Sequence, residues 1–198
     1  FFANISHEFR TPLTLILGPA YKIKTECKDE NLSKQAGLIQ RNANRLLELI
    51  NQLLDLTKVE AGKMNLCISK ANLASIVRAI SMTFESIPEK KDIRFKVKMQ
   101  REKIETYFDK DKMEKIITNL LSNAFKFTQA DGKITVRSGV TTRNERGSNL
   151  EYFFIEVSDN GNGIPQKDVV QIFNRFYQSD NSQLLQQEVS GIWLTLTK

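Results

Sequence analysis

The sequence predicts two domains of different class: an antiparallel helical hairpin over residues 1–60, followed by an α/β sandwich over residues 65–198. Three observations support this fold class. Apolar residues in 33–58 recur with the alternating three- and four-residue spacing of a helix seam. After residue 65, strand-like alternation is interleaved with helical periodicity, which is typical of a mixed sheet with helices on one face. Between the two patterns, Ala61-Gly62 ends the second helix and serves as a linker.

Both helices of the predicted hairpin carry an apolar stripe. A polar loop separates the stripes, and Ser33 is the predicted N-cap of the second helix. A lone hairpin cannot bury its seam, whereas two copies bury it in a four-helix bundle, so we expect a homodimer. The first stripe consists of Phe9, Leu13, Ile16, Ala20, Ile23 and Cys27, and the second of Ile39, Ala43, Leu46, Ile50, Leu53 and Thr57.

The second domain is predicted from alternating segments, helical segments and the turn residues between them. Helices are expected after the N-caps Asn72 and Asp111, the first towards Pro88 and the second to about Phe127. A turn is expected at Arg143–Asn149. The predicted strands are Leu66–Lys70, Arg94–Met99, Lys133–Thr141 and Tyr152–Asp159.

Composition narrows the class of protein. The chain has 198 residues, of which 40% are hydrophobic and 26% charged, as in globular rather than disordered proteins. Its net charge is +6, but the lysines and arginines are scattered, so no direct nucleic-acid partner is expected. Two cysteines are too few for a disulfide framework or a zinc site. The chain opens on Phe1-Phe2 without Met, so we expect a piece of a longer protein.

His7 is the only histidine and falls off the first apolar stripe. A lone histidine is ordinarily a solvated or core residue. Here the adjacent Glu8 can accept the Nδ1 proton, which leaves Nε2 free as a nucleophile. Pro12 removes one helical hydrogen bond and predicts a bend just beyond His7. The alternative is a helix that begins at Thr11, and the continuous apolar stripe argues against it.

Asn119, Asn123 and Lys126 are spaced i, i+4, i+7 and so share one face of the predicted helix. A polar helix face is by default a solvated one. Asparagine, however, is a poor helix former, and two asparagines on one face of an otherwise apolar helix indicate a functional role. An amide oxygen is a hard ligand suited to Mg²⁺, and a lysine can contact phosphate.

A glycine-containing turn follows the last predicted strand, with Asp159 at the strand end and Gly161 and Gly163 beyond it. A plain surface turn is the ordinary interpretation. Glycine also lets the backbone approach a ligand closely, and a carboxylate accepts hydrogen bonds from an exocyclic amine such as that of adenine. The aromatic pair Phe173 and Phe176 follows and is either core or the hinge of a mobile loop.

These segments resemble the H, N, first G and F boxes of the sensor histidine kinases of two-component systems, in the order that the family has them. The start of the chain is similar to that of hybrid sensors. The boxes are Ser6–Leu13, Asn119–Phe127, Asp159–Pro165 and Ile172–Phe176.

The resemblance implies an ATP-binding domain of the histidine kinase/gyrase type, with ATP and Mg²⁺ as cofactors. It implies that His7 is the phosphoacceptor, Glu8 its acid–base partner and Thr11 a residue for dephosphorylating the partner. That partner would be a response regulator receiver domain, and the chain would be the cytoplasmic portion of an inner-membrane sensor. The implied ATP-binding residues are Asn119, Asn123 (also the Mg²⁺ ligand), Lys126, Asp159, Gly161, Gly163, Ser190 and Gly191.

The last glycine box departs from the family pattern. Val189 and Trp193 stand where the family has glycines, while Ser190 and Gly191 remain. A β-branched residue disfavours positive φ, and an indole crowds a phosphate-facing loop, so we expect weakened ATP binding. The alternative is a lid that repacks and tolerates both side chains. The family domain also continues past Lys198, so the fold is expected to be C-terminally incomplete.

Three hypotheses follow for the function. The first is ATP-dependent autophosphorylation of His7 with phosphotransfer to an aspartate of a response regulator. The second is a degenerate core, suggested by Val189 and Trp193, that dimerises and docks a regulator but binds ATP poorly. The third is a gyrase-type ATPase of the same superfamily, against which the hairpin around His7 argues.

Overall fold

The computed structural model describes residues 2–85, 87, 92–145, 147–174 and 177, with the backbone alone for residues 2–8. Helix α1 (Phe2–Glu26) continues through Pro12, and helix α2 (Glu30–Glu60) packs against it as a hairpin. The hairpin expected from the two apolar stripes is confirmed.

The N-cap of α2 is Asp29, so the prediction of Ser33 is wrong. The Asp29 carboxylate accepts hydrogen bonds from the backbone N–H groups of Asn31 and Leu32, which satisfies two donors that a helix start leaves open. Ser33 instead donates its hydroxyl proton to the carbonyl of Lys24 at 3.1 Å. This bond ties the start of α2 to the end of α1.

Within one hairpin, the two helices bury only part of their apolar stripes. Small or central side chains such as Leu13, Ala20 and Ala43 are buried where the helices meet. A second set, spaced seven residues apart on each helix, stays close to half exposed. This set, called here the outer stripe, consists of Phe9, Ile16 and Ile23 on α1 and Ile39, Leu46 and Leu53 on α2.

The remaining described elements, from residue 68 onward, are two helices and two small sheets. A two-stranded antiparallel sheet pairs β1 with β3, and a three-stranded sheet has the order β2-β4-β5, with β2 parallel and β5 antiparallel to β4. The elements are β1 (Ile68–Asn72), α3 (Leu73–Met82), β2 (Arg94–Met99), β3 (Glu105–Asp109), α4 (Lys110–Phe127), β4 (Lys133–Glu145) and β5 (Ser148–Asp159).

The element boundaries correct several predictions. Asn72 caps α3 as expected, because its amide oxygen accepts from the N–H of Ala74. Helix α4 is capped by Asp109 rather than Asp111, and it begins at Lys110. Strand β3 was not predicted. Strands β4 and β5 extend through most of the expected turn at 143–149, pairing as far as Glu145 with Ser148.

The core lies between the three-stranded sheet and the two helices α3 and α4. Phe125 of α4 occupies its centre, stacked on Phe84 at 5.6 Å between ring centroids and tilted against Phe95 at 5.1 Å. Ile117, Leu121 and Val136 are fully buried around it. The predicted α/β sandwich is therefore confirmed.

The hairpin and the sandwich meet through charged side chains on α2 and α4. The ammonium of Lys115 lies 2.6 Å from Oδ2 of Asp55, whose side chain is only 21% exposed. Arg45 lies ten residues before Asp55 on α2, and Lys126 lies eleven residues after Lys115 on α4. The positive charge of Arg45 lowers the pKa of Lys126. The ion pair of Asp55 with Lys115 and the charge of Arg45 near Lys126 therefore both link α2 to α4.

None of the helices in the described part of the chain is both long and apolar enough to cross a bilayer.

Candidate functional site

Helix α4 presents the three polar residues that the sequence singled out. Asn119 is buried, with 8% of its surface exposed, while Asn123 and Lys126 are half-buried. The helix holds them in place because Ile117, Leu121 and Phe125 anchor its opposite face in the core. The i, i+4, i+7 spacing therefore gives a row of donors and acceptors on a rigid element.

Lys126 lies in an environment that favours a nearby anion. Partial burial lowers its pKa, and the charge of Arg45 lowers that pKa further, because both disfavour a protonated ammonium. Its Nζ lies 6.0 Å from the centroid of the Phe127 ring. A phosphate group in front of Lys126 would offset both penalties on its charge.

The turn after β5 orients the carboxylate of Asp159. One of its oxygens, Oδ1, accepts a hydrogen bond of 2.9 Å from the backbone N–H of Gly161. Asp159 is exposed to solvent at the end of the strand, and it pairs in register with Ile134 of β4. The bond from Gly161 fixes one oxygen, so the carboxylate has a defined direction in which to accept from a ligand.

Gly161 and Gly163 are required for different physical reasons. A Cβ at Gly161 would overlap the backbone carbonyl of Phe127, the last residue of α4. Gly163 has a φ of +67°, a conformation that side-chain-bearing residues rarely adopt. The close approach at Gly161 brings the turn against the end of α4, so Asp159 lies in the same region as Lys126.

Two polar residues of this region were missed by the sequence analysis. Asn160 accepts a 2.6 Å hydrogen bond from the N–H of Lys133 on its Oδ1. Thr128, just after α4, is 3% exposed, and among the described residues its hydroxyl has no hydrogen-bond partner. The preference of asparagine for pairing with nearby backbone was a usable signal for Asn160; nothing in the sequence marks Thr128.

In the segment that follows the turn, Asp168, whose carboxylate is buried, holds the chain together by hydrogen bonds. Asp168 is 3% exposed and its Oδ1 accepts a 2.6 Å hydrogen bond from the hydroxyl of Tyr177. Its backbone N–H donates to the carbonyl of Pro165 at 2.8 Å. Phe173 is 38% exposed, so it does not contribute a buried core side chain here.

Several predicted site residues lie outside what the structure describes. His7 and Glu8 belong to the backbone of α1, and their side chains are not among the described atoms. Thr11 is exposed on the same helix. Phe176 lies outside the described residues, as do Val189, Ser190, Gly191 and Trp193 of the last glycine box.

Known families match both halves of this arrangement. Residues 1–62 match the His Kinase A (phospho-acceptor) domain, and residues 108–198 match the histidine kinase-, DNA gyrase B- and HSP90-like ATPase domain. A phospho-acceptor hairpin followed by such an ATPase domain is the arrangement of a histidine kinase core. The chain belongs to the sensor histidine kinases.

Individual relatives agree with this assignment. Hybrid signal transduction histidine kinase D of Dictyostelium discoideum is 42% identical over 199 residues, which cover 100% of this chain and 13% of that protein. The structure of full-length ShkA in complex with AMPPNP superposes with a TM-score of 0.79 over 99% of this chain and 39% of that one, at 22% identity, which shows the shared fold. ThkA, solved in complex with the response regulator protein TrrA, matches 89% of this chain and 49% of that one, with a TM-score of 0.58 and 25% identity.

Proposed function

We propose that this chain binds ATP, transfers its γ-phosphoryl group to His7 and passes that group to an aspartate of a response regulator receiver domain. The observation that carries the proposal is the contact between Gly161 and the end of α4. This contact brings the polar residues of α4, which suit phosphate, close to the carboxylate of Asp159, which suits adenine. A single nucleotide requires both in one region. The division of the chain into a hairpin over residues 1–60 and a catalytic domain from residue 65 is part of this proposal.

Each end of the nucleotide has residues of matching chemistry. The second carboxylate oxygen of Asp159 accepts a hydrogen bond from the exocyclic amine of adenine, while Gly161 and Gly163 let the base approach the backbone. Asn119 and Lys126 donate to the phosphates. Lys126 is half-buried, so its attraction for phosphate is screened less than that of an exposed lysine. Ser190 and Gly191 are assigned to the phosphates by resemblance alone.

The residues present fit a Mg²⁺ ion that is held mainly by the nucleotide. In the described ranges, no three His, Cys, Asp or Glu side chains are grouped to hold a metal. A Mg²⁺ ion bound together with a nucleotide would need few protein ligands, and the half-buried amide of Asn123 could supply one. When bound, the ion neutralises charge on the phosphates.

The proposed transfer step forms one bond and breaks another. Nε2 of His7 bonds to the γ-phosphorus while the bond from that phosphorus to the bridging oxygen breaks, and ADP leaves. Glu8 takes the Nδ1 proton, so the imidazole ring ends neutral while the phosphoryl group keeps its negative charge. Thr11, exposed one turn further along α1, is assigned to dephosphorylation of the regulator.

Labelling with γ-³²P-ATP tests the transfer. The chain is expected to take up label that is lost in acid, as a phosphoramidate is. His7→Gln should abolish that label while ATP affinity, measured by calorimetry, is unchanged, because His7 lies on the hairpin and not in the nucleotide site. Full labelling of the variant would show that another residue accepts the phosphoryl group. A wild-type chain that takes up no label would instead favour a docking module.

The outer stripe supports a homodimer through the hairpin. Its six side chains repeat every seven residues on both helices and remain 43–50% exposed in one chain, as a seam that awaits a second hairpin does. Leu46→Asp should yield monomer by light scattering, because a charge in that seam costs several kcal/mol, on the order of 3. Leu38 is the matched control.

Leu38 lies on the same helix and is 51% exposed against 49% for Leu46, but it lies outside the outer stripe. Leu38→Asp should therefore leave the dimer mass unchanged. An unaltered dimer in Leu46→Asp would remove the outer stripe as the interface. By resemblance, the dimer is the cytoplasmic part of an inner-membrane sensor.

A further inference from the structure

We propose that Asn160 is a positioning residue for base recognition, which acts through Asp159 and sets the preference for ATP over nucleotides that lack the 6-amino group. The inference rests on the proposed ATP site and assigns a role to a residue that touches no part of the nucleotide in that proposal. It is carried by the way in which Asn160 ends the pairing of β4 with β5.

The side chain of Asn160 replaces a backbone acceptor at the end of the sheet. The last pair of the β4–β5 ladder is Ile134 with Asp159. In the next pair, the N–H of Asn160 donates to the carbonyl of Lys133 at 3.2 Å, as a continuing ladder requires. The return bond differs, because the N–H of Lys133 donates to the side-chain oxygen of Asn160 at 2.6 Å.

Because the side-chain oxygen of Asn160 takes the place of its backbone carbonyl, the main chain can leave the sheet without losing a hydrogen bond. The carbonyl of Asn160 is no longer needed by Lys133, so the chain turns at once towards α4. There Gly161 meets the carbonyl of Phe127 and donates its N–H to Asp159 at 2.9 Å. Asn160 thus lies between the carboxylate and the N–H group that orients it, and it anchors both to β4.

The side-chain amide of Asn160 lies in a closely packed corner of the structure. A Cβ at Gly132 would lie 3.2 Å from Oδ1 of Asn160 and 2.7 Å from the carbonyl oxygen of Gln129, and it would overlap the Thr128 methyl group. A side chain at position 132 would therefore disturb this corner, chiefly at Thr128 and Gln129 and less severely at Asn160. Three segments meet at this point: the end of α4, the start of β4 and the turn after β5.

The consequence is a specific effect on the nucleotide base. Without the anchor, Asp159 loses its fixed direction, and it no longer distinguishes an amine donor from a carbonyl at position 6 of the purine. The full chain is therefore titrated with ATP and with ITP, which has that carbonyl, each with Mg²⁺. Asn160→Ala should weaken ATP binding by about tenfold and ITP binding by much less, the loss being that of one charge-assisted hydrogen bond.

Two further variants separate positioning from general loosening of the sheet. Asn160→Asp keeps an oxygen at the same place and should retain the wild-type ATP/ITP ratio, because its added charge affects both nucleotides alike. Asn144→Ala removes the side-chain bond between Asn144 and Asn149, 3.1 Å long, at the far end of the same ladder. It is expected to leave the ratio unchanged.

The outcomes distinguish this inference from the proposed site. A wild-type chain that binds ATP and ITP equally would overturn the assignment of Asp159 to adenine and the role of Asn160 with it. A wild-type chain that prefers ATP, with an equal preference in Asn160→Ala, would overturn the role of Asn160 alone. If Asn160→Ala fails to fold, Asn160→Ser, whose shorter side chain cannot span to Lys133, takes its place under the same criteria.

Discussion

At the residue scale, the buried hydroxyl of Thr128 should have a measurable effect on the free energy of unfolding. Its hydroxyl is buried and without a partner among the described residues, while its backbone is extended, with φ −86° and ψ 128°. Valine has the same shape and suits extended backbone. Thr128→Val should raise the free energy of unfolding by about 1 kcal/mol, because a buried hydroxyl without a partner carries a desolvation cost.

Calorimetric melting checks this expectation, and Thr57 provides the contrast. The Thr57 hydroxyl donates to the carbonyl of Leu54 at 2.8 Å, so Thr57→Val should lower stability. A fall in stability in Thr128→Val as well would mean that its hydroxyl has a partner that the described residues do not include.

At the residue scale, sequence alone identified the groups whose chemistry is unusual for their place. Asn119, Asn123 and Lys126 stood out on an apolar helix, and Asp159 with its glycines stood out after a strand. Only the family resemblance predicted their spatial proximity, because the residues themselves do not reveal the contact of Gly161 with the end of α4. Asn160 and Thr128 were missed since asparagine and threonine are ordinary residues beside a turn.

At the scale of elements, Asp109 joins the start of α4 to the sheet beside it. Its carboxylate accepts from the N–H of Lys112 at 3.0 Å and from the N–H of Cys67 at 2.8 Å. The bonds from Lys112 and then Cys67 hold the pKa of Asp109 below its ordinary value of 3.8, because they favour the charged form. The stability that Asp109 contributes is therefore present above pH 3.8 and is lost as the pH falls through the lowered pKa.

Asp109→Asn should lower the melting temperature at pH 7, and the difference from wild type should shrink below pH 3.8 as the wild-type carboxyl is protonated. Asp111→Asn is the matched control, since Asp111 is exposed and does not cap α4; its melting curve should follow wild type. A difference for Asp109→Asn that is constant from pH 7 to acid would show that the charge of Asp109 is not what stabilises the cap.

Elements with their own periodicity were predictable, and those that depend on distant partners were not. Strand β2 was predicted at its observed bounds, and α2 was recognised from its seam. Strand β3 has only five residues and is stabilised by pairing with β1, more than thirty residues away. The cap of α4 was misplaced by two residues because Asp109 and Asp111 are equally suitable locally, and in the structure it is Asp109 that accepts from Lys112 and Cys67.

At the scale of the whole molecule, the ion pair of Lys115 with Asp55 connects the hairpin to the sandwich. Lys115→Glu should repel Asp55 and separate the domains, which raises the radius of gyration in small-angle scattering. Adding Asp55→Lys should restore the wild-type radius. The effect should weaken with salt, because a half-exposed pair is worth about 1 kcal/mol or less. Equal radii for all three proteins would show that this contact does not set the domain arrangement.

The outer stripe has a thermodynamic consequence for the hairpin. If its apolar side chains are covered only in a dimer, the folded hairpin and the dimer form together, and unfolding becomes a two-body equilibrium. Dilution then lowers the melting temperature of the hairpin by mass action, whereas the sandwich, whose core is complete within one chain, melts at a temperature independent of concentration. The two halves of one polypeptide would thus respond differently to how much of the protein is present.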